Sequence, residues 1–190
     1  MTDTAPDAPV AAPCPIVRVL APTDVSPAGT HVRITADAAQ CAAIAALADV
    51  PAVDALSAEL VVKPWSGTGF AVDGRVRARL RQACVVTLEP VETTVDEVVA
   101  VKLVPPQDMV KYVEEPDENG DIDLDAVADL PDPMENGVID VGAIVVEHFM
   151  VGIEPYPRKE GALFDAAAVG AEAGPEVVSP FAALARLGKE

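Results

Sequence analysis

Residues 75–81 read RVRARLR and place an arginine at every second position. Successive side chains of a β-strand point to opposite faces, so this spacing predicts a strand with all four guanidinium groups on one face. The opposite face is then formed by Val76, Ala78 and Leu80. A rise of ~3.3 Å per residue separates neighbouring arginines by ~6.6 Å. We call these four residues the arginine ladder: Arg75, Arg77, Arg79 and Arg81.

Other predicted strands lie on both sides of the ladder in the sequence. Apolar and polar residues alternate over 54–63, which indicates a strand with Leu56 and Leu60 facing the core. The pair Asp73-Gly74 is a strong two-residue turn signal, so we predict that residues 69–86 form a hairpin turning there. Further strands are predicted at residues 16–20, 31–34 and about 95–104.

Helical patterns are separate from the strands. Residues 36–49 are rich in alanine, and Thr35 is the predicted N-cap. Asp140 is the predicted N-cap of a second helix that runs to about residue 153. Clustered strands with separate helices indicate an α+β fold. We predict an antiparallel sheet or partial barrel of about five to six strands, with two to three helices packed on it.

The chain divides into a main domain and two terminal segments. Residues 1–13 are rich in Ala, Pro and Asp and predict a disordered tail. Residues 14–178 are predicted to form a single α+β domain, followed by a short C-terminal helix and tail at 179–190. Within the domain, residues 114–136 contain ten acidic residues and no basic one, which predicts an exposed acidic loop.

The charge balance restricts the classes of partner. The chain has 13 Lys and Arg against 31 Asp and Glu, for a net charge of −18. Such a chain repels nucleic acid unless its basic groups are segregated, as they are in the ladder. No apolar run approaches the ~20 residues that span a bilayer, and the N-terminus lacks a basic targeting region. We therefore expect a cytoplasmic protein with no membrane partner.

Metal and catalytic chemistry have little support in the sequence. The three cysteines, Cys14, Cys41 and Cys84, are widely spaced and form neither a disulfide framework nor a metal-ligand pattern. A Cys84 nucleophile would need His148 and Glu147, but adjacent helical residues diverge by ~100°. Cys84 has the parity of the apolar face, which predicts a buried, inert thiol. We predict no catalytic residue, no metal and no cofactor.

Scattered aromatic residues give a weaker signal. Trp65, Phe70 and Tyr156 have side chains that stack on nucleobases in some RNA-binding proteins. Isolated aromatic residues more often fill a core, and no RNA-binding motif accompanies them. They do not by themselves predict a binding site.

Three segments, in this order, resemble one family. The first is RLRQACVVTLEPV at 79–91, and the second is ENGVIDVGAIVVEHFMVGIEPYPRKEGALF at 135–164. The third is SPFAALARL at 179–187. Together they resemble the YceD family of large ribosomal RNA subunit accumulation proteins. The resemblance implies a role in accumulation of the large-subunit ribosomal RNA, and hence in biogenesis of the large ribosomal subunit.

The chain departs from that family at its cysteines. Many members carry Cys-x-x-Cys where this chain has Cys84 and Thr87, and further cysteines after the second helix, where residues 154–159 have none. The zinc binding that the resemblance implies therefore does not carry over to this chain. Packing is expected to replace whatever stability a metal contributes.

The sequence leaves three interpretations of the ladder open. Its arginines can pair with carboxylates of neighbouring strands, such as Glu59, Glu92 or Asp96. They can also hold the acidic segment 114–136, or contact phosphates of ribosomal RNA or of a precursor large-subunit particle. The first interpretation is slightly favoured by the sequence.

Two functional hypotheses follow. In the first, a non-enzymatic factor contacts ribosomal RNA through the arginine ladder. In the second, the acidic loop 114–136 holds a basic ribosomal protein, since a negative potential speeds encounter with a cationic partner. The candidate acidic residues for that partner are Glu114, Glu115, Asp117, Glu118, Asp121, Asp123 and Asp125.

Overall fold

The computed structural model describes residues 14–112 and 130–163. The strands are β1 (Val19–Leu20), β2 (Thr30–Thr35), β3 (Ala52–Trp65), β4 (Gly69–Ala83), β5 (Pro90–Val104), β6 (Asp132–Pro133) and β7 (Ile139–Asp140). The α-helices of the described part are α1 (Ala38–Leu47) and α2 (Val141–Val151). Short 3-10 turns lie at Pro22–Asp24, Pro106–Lys111 and Glu135–Gly137.

The strands form two sheets, which confirms the α+β class. One sheet has five strands in the order β2-β3-β4-β5-β6, and the other pairs β1 with β7. All pairs are antiparallel except β5 with β6, so the main sheet is mixed but mostly antiparallel. The predicted partial barrel is wrong, because β2 and β6 stand at opposite ends of the strand order and the sheet stays open.

Some predicted segments lie outside the described residues, and one is corrected. The tail 1–13, the acidic residues at 114–125 and the helix at 179–190 are not among the described residues. The end of the predicted acidic loop is not a loop: Asp132–Pro133 form β6 beside β5. Met134, which follows, is buried in the core.

The hairpin that contains the ladder turns at a different place from the one predicted. β3 and β4 are joined at residues 66–68, where Ser66 and Gly67 have positive φ angles. Gly74 lies in the middle of β4 and pairs with Leu60 on one side and Val99 on the other. A Cβ at Gly74 would lie 2.2 Å from the carbonyl oxygen of Glu59, so glycine here permits a close approach of strands.

The alternation of side chains along the strands agrees with the sequence pattern. Val76, Ala78 and Leu80 are 0%, 5% and 1% exposed, whereas the arginines between them face solvent. On β3, Leu56 and Leu60 are likewise buried. The sheet therefore has one apolar inner face and one charged outer face.

Both helices pack on the inner face. Ile44 of α1 and Phe149 of α2 are fully buried in the same core as the inward residues of the sheet. Burying a side chain of this size contributes about 1.5–3 kcal/mol. In the described ranges, no helix is long and apolar enough to span a membrane.

The N-cap residues of the two helices can be compared with the two that the sequence predicts. The N-cap of α1 is Asp37, which accepts a hydrogen bond from the backbone N–H of Gln40 at 2.8 Å. The predicted cap at Thr35 is wrong, because that residue is still part of β2. Asp140 is confirmed as the N-cap of α2, since its Oδ1 accepts the N–H of Ala143 at 2.9 Å.

Candidate functional site

The arginine ladder lies on β4, in the middle of the outer sheet face. Cross-strand pairing places Arg75 between Glu59 and Val98, and Arg77 between Ser57 and Asp96. Arg79 lies between Ala55 and Thr94, and Arg81 between Ala52 and Glu92. The four arginines therefore share one face, as predicted.

Asp96 is the main carboxylate partner of the ladder. Its Oδ1 is 2.8 Å from Nη1 of Arg75 and 3.4 Å from Nε of Arg77. The hydrogen bond from Arg75, followed by the charge of both arginines, lowers the pKa of Asp96 below its usual value. The predicted pairing with Asp96 is thus confirmed. These groups are largely exposed, so each pair contributes little to stability.

The other two predicted partners are not the ones the ladder uses. Glu59 pairs with Arg33 on β2, at 2.8 Å from its Nη2. Arg81 pairs with Oδ1 of Asp54 at 3.0 Å rather than with Glu92. The register of β3 against β4 shifts between Val53 and Ala55, which marks a β-bulge at Asp54. The extra residue aims the carboxylate of Asp54 towards Arg81.

Arg79 differs from the other three arginines. Within residues 14–112 and 130–163 it has no ion pair and no side-chain hydrogen bond. Its cross-strand neighbours, Ala55 and Thr94, carry no charge. Arg79 borders an open furrow of about 330 Å³ that Arg77, Ser57 and Thr94 also line. The furrow combines two guanidinium groups and two hydroxyl groups with the carboxylate of Asp96, so an anion with several oxygen acceptors would have to displace that carboxylate.

The outer face carries more cations than carboxylates, although the whole chain has a net charge of −18. Its outward basic residues on β2 to β5 are Arg33, Lys63, Arg75, Arg77, Arg79, Arg81 and Lys102. Its outward acidic residues on the same strands are Asp54, Glu59, Asp73, Glu92 and Asp96. On these strands the face therefore has seven basic and five acidic residues, a small excess of positive charge with carboxylates interleaved among the arginines.

The aromatic residues are arranged differently from the predicted set. Phe70 is buried in the core, and Tyr156 is exposed. Trp65 stacks on Tyr112, with ring centroids 5.8 Å apart and planes at 27°. Nζ of Lys102 lies 5.5 Å from the Trp65 ring centre, a cation–π arrangement. Sequence reasoning missed Tyr112, because no local pattern brings it to the β3–β4 turn.

Cys84 is buried, as predicted, but in polar surroundings. Its Sγ accepts hydrogen bonds from the backbone N–H groups of Val86, Thr87 and Lys159, at 3.4, 3.5 and 3.4 Å. The bond from Lys159, then those from Thr87, lower the pKa of the Cys84 thiol to about 6. The sequence predicted the burial of this thiol but not these hydrogen bonds. Nδ1 of His148 bonds the carbonyl oxygen of Ile144 and not Cys84.

The surroundings of Cys84 do not fit the metal that the resemblance implies. The described residues contain no group of three or more His, Cys, Asp or Glu able to hold a metal ion. Direct protein bonds join the two segments instead: the N–H of Val85 donates to the carbonyl of Pro157 at 2.9 Å. Nζ of Lys159 also donates to Glu89 at 2.7 Å.

The lowered pKa of Cys84 predicts a pH-dependent contribution to stability. In the unfolded chain the thiol has its ordinary pKa of 9.0, and in the folded chain its pKa is about 6. The contribution is complete above pH 9 and is lost as the pH falls through about 6. We expect Cys84→Ser to lower the melting temperature more at pH 8 than at pH 5. Cys41→Ser is the control, because burial raises the pKa of Cys41 and its effect should not change between these pH values. An equal effect of Cys84→Ser at both would contradict this.

Comparison with known proteins finds a matching family model. The family model described as large ribosomal RNA subunit accumulation protein YceD matches residues 72–188, which is more than half of the chain. The match includes β4 with its ladder, β5, the Cys84 turn and α2. No curated protein and no solved structure matches the chain.

Proposed function

Because the chain belongs to the YceD family, we propose that it is a non-enzymatic factor that promotes accumulation of large-subunit ribosomal RNA by binding RNA through the arginine ladder. The family description supplies the link to this RNA. The observation that carries the contact is Arg79, which has no ion pair or side-chain hydrogen bond among the described residues and lies between two further exposed arginines on the outer sheet face. The partner is ribosomal RNA or a precursor of the large subunit, in the cytoplasm.

The chemistry of the face supports phosphate as the recognised group. The planar guanidinium fork matches phosphate oxygens, and the hydroxyls of Ser57 and Thr94 add hydrogen-bond donors at the Arg79 furrow. The ion pairs of Arg75 and Arg77 with Asp96 are solvent-exposed, so exchanging Asp96 for a phosphate costs little. Most of the chain repels RNA, which confines contact to this face.

Crosslinking in cell extract tests the proposal. Ultraviolet irradiation of extract with the tagged chain, followed by sequencing of bound RNA and mass spectrometry of peptides, identifies both sides of the contact. We expect large-subunit ribosomal RNA attached to peptides from β3, β4 or β5. Recovery of no ribosomal RNA above an untagged control, or of RNA attached only to other segments, would refute the proposed contact.

Neutralising Asp96 should strengthen RNA binding. Asp96→Asn removes one negative charge and releases Arg75 and Arg77. A unit charge at 4 Å is worth about 1 kcal/mol in water, so we expect affinity for a large-subunit RNA fragment to rise about fivefold. The control Glu160→Gln makes the same charge change at another exposed position and should have less than about twofold effect. A ladder that serves only stability would show no gain for Asp96→Asn.

A second candidate function rests on the acidic segment. Residues 114–136 hold ten acidic residues and no basic one, and this charge suits a basic ribosomal protein that the chain would hold before assembly. Deleting the whole segment would remove β6 and the buried Met134. A better test converts the acidic residues of 114–125 to their amides. Pull-down of ribosomal proteins that survives this change would remove the segment from the proposal.

A further inference from the structure

A groove with an acidic rim and a partly apolar floor lies between α2 and the edge formed by β5 and β6. Its volume is about 300 Å³. Val101, Leu103 and Ile144 supply apolar lining, and the groove is on the helix side of the sheet, away from the outward ladder. The acidic residues that line it are Asp132, Glu135, Asp140 and Glu147.

The rim has carboxylates available for a partner. Asp140 is engaged as the N-cap of α2. Asp132, Glu135 and Glu147 are exposed, and within the described ranges none of them forms an ion pair. Among the described residues, none that lines the groove is basic. The groove therefore attracts a cationic ligand and repels RNA.

The shape of the groove excludes a compact cation as its ligand. Its carboxylates are spread along the rim, and no three of them are close enough to hold a metal ion in the described structure. The volume is at the lower limit of small-molecule pockets, about 300–1,000 Å³. It suits one or two apolar side chains of a peptide, whose basic residues would reach the rim.

The neighbouring edge of the sheet offers a backbone docking surface. β6 pairs only with Leu103 and Val104 of β5. Within the described part of the chain, residues 90–102 of β5 therefore have no neighbouring strand on the side away from β4. Val101 belongs both to this open edge and to the groove. An extended segment can bond such an edge through its backbone and place alternate side chains in a pocket.

We propose that the groove between α2 and the β5–β6 edge binds an extended, lysine- or arginine-rich segment of a partner protein that also carries apolar anchor residues. The proposal gives the second candidate function a site among the described residues. It is independent of RNA binding by the ladder, because the two surfaces are on different faces of the sheet.

A peptide-binding measurement tests this site. The probe is a fluorescent peptide of alternating lysine and leucine, titrated with the full chain at physiological salt. Peptides of the same length with lysine and serine, or with glutamate and leucine, are the reference probes. Glu135→Lys with Glu147→Lys reverses the rim. Asp24→Lys with Glu160→Lys makes the same charge change at exposed positions outside the groove.

We expect the rim variant to bind the lysine–leucine peptide at least about tenfold more weakly than the wild-type chain, and the control variant less than about twofold more weakly. The lysine–serine peptide should bind at least about fivefold more weakly than the lysine–leucine peptide, because it lacks apolar anchors. Equal losses in both variants, or equal affinity for these two peptides, would overturn the proposal. A loss seen only on amidation of residues 114–125 would also overturn it, while leaving the second candidate function in place. The RNA affinity of the rim variant is measured separately and shows whether the arginine ladder still binds RNA.

Discussion

Reversing Arg77 and Arg79 together to glutamate should abolish binding to large-subunit ribosomal RNA. The double variant removes two cations from the centre of the ladder and adds two anions that repel phosphate. At about 1 kcal/mol for each unit of charge, the affinity falls by at least about a hundredfold. Fluorescence anisotropy with a labelled RNA fragment, at one fixed salt concentration, measures the change.

A matched control separates the ladder from total charge. Arg18→Glu with Arg158→Glu changes the net charge by the same amount at two exposed positions outside β4. We expect this control to lose less than about fivefold in affinity, because charges beyond a Debye length of ~10 Å are screened. The ladder variant should still melt cooperatively, since exposed ion pairs contribute little to stability. Similar losses in both double variants would contradict a specific face.

Replacing Gly74 by valine should prevent folding. The backbone of Glu59 lies 2.2 Å from the position of a Cβ at residue 74, and Cα of Leu60 lies 2.8 Å from it. The three central strands must therefore separate or bend at this point. Steric strain of this kind in a core is among the most destabilising effects of a substitution, and it lowers the free energy of unfolding by about 4 kcal/mol or more. Circular dichroism and thermal melting of the purified variant measure the loss.

Gly67→Ala is the matched control for that prediction. Gly67 has a φ of +71°, but nothing lies within 4 Å of its Cβ position. Its replacement costs only the left-handed backbone conformation, about 1–2 kcal/mol. If Gly74→Val melts like the wild-type chain, the strand pairing around residue 74 is wrong. A larger loss of stability for Gly67→Ala than for Gly74→Val would also show that this strand pairing is wrong.

The faces of the strands were predictable because their cause is local. Alternation in 75–81 and in 54–63 follows directly from the two-residue period of a strand, and every predicted inward residue is buried. Asp140 was predictable as a cap for the same reason, since capping depends on residues three apart. The α+β class followed from the separation of these local patterns along the chain.

The turn at Asp73-Gly74 was not predictable from its local signal. Pairing along β3 and β4 through strands of 14 and 15 residues outweighs the preference of one dipeptide for a turn. In this arrangement Gly74 is needed for the close approach of Glu59 across the sheet. The local sequence is compatible with Gly74 in a turn and with Gly74 inside a strand, and only the long-range pairing distinguishes the two.

The finer features of the sites depend on contacts between distant segments. The bulge that directs Asp54 to Arg81 depends on the register of β3 against β4. The thiol of Cys84 takes an N–H from Lys159, a residue 75 positions away. The acid-rimmed groove exists only where α2 meets β5 and β6. No local pattern encodes these contacts, so the sequence alone did not predict them.

The salt dependence of RNA affinity tests the central claim most directly. Each phosphate engaged by a basic side chain lowers the logarithm of the affinity constant by about 0.7–0.9 for each logarithmic unit of salt. Four arginines on one face predict a slope of magnitude ~3–4 for the wild-type chain, and about half of that for Arg77→Ala with Arg79→Ala. A slope near zero for the wild-type chain, or an unchanged slope for that variant, would contradict binding of RNA phosphates by the arginine ladder.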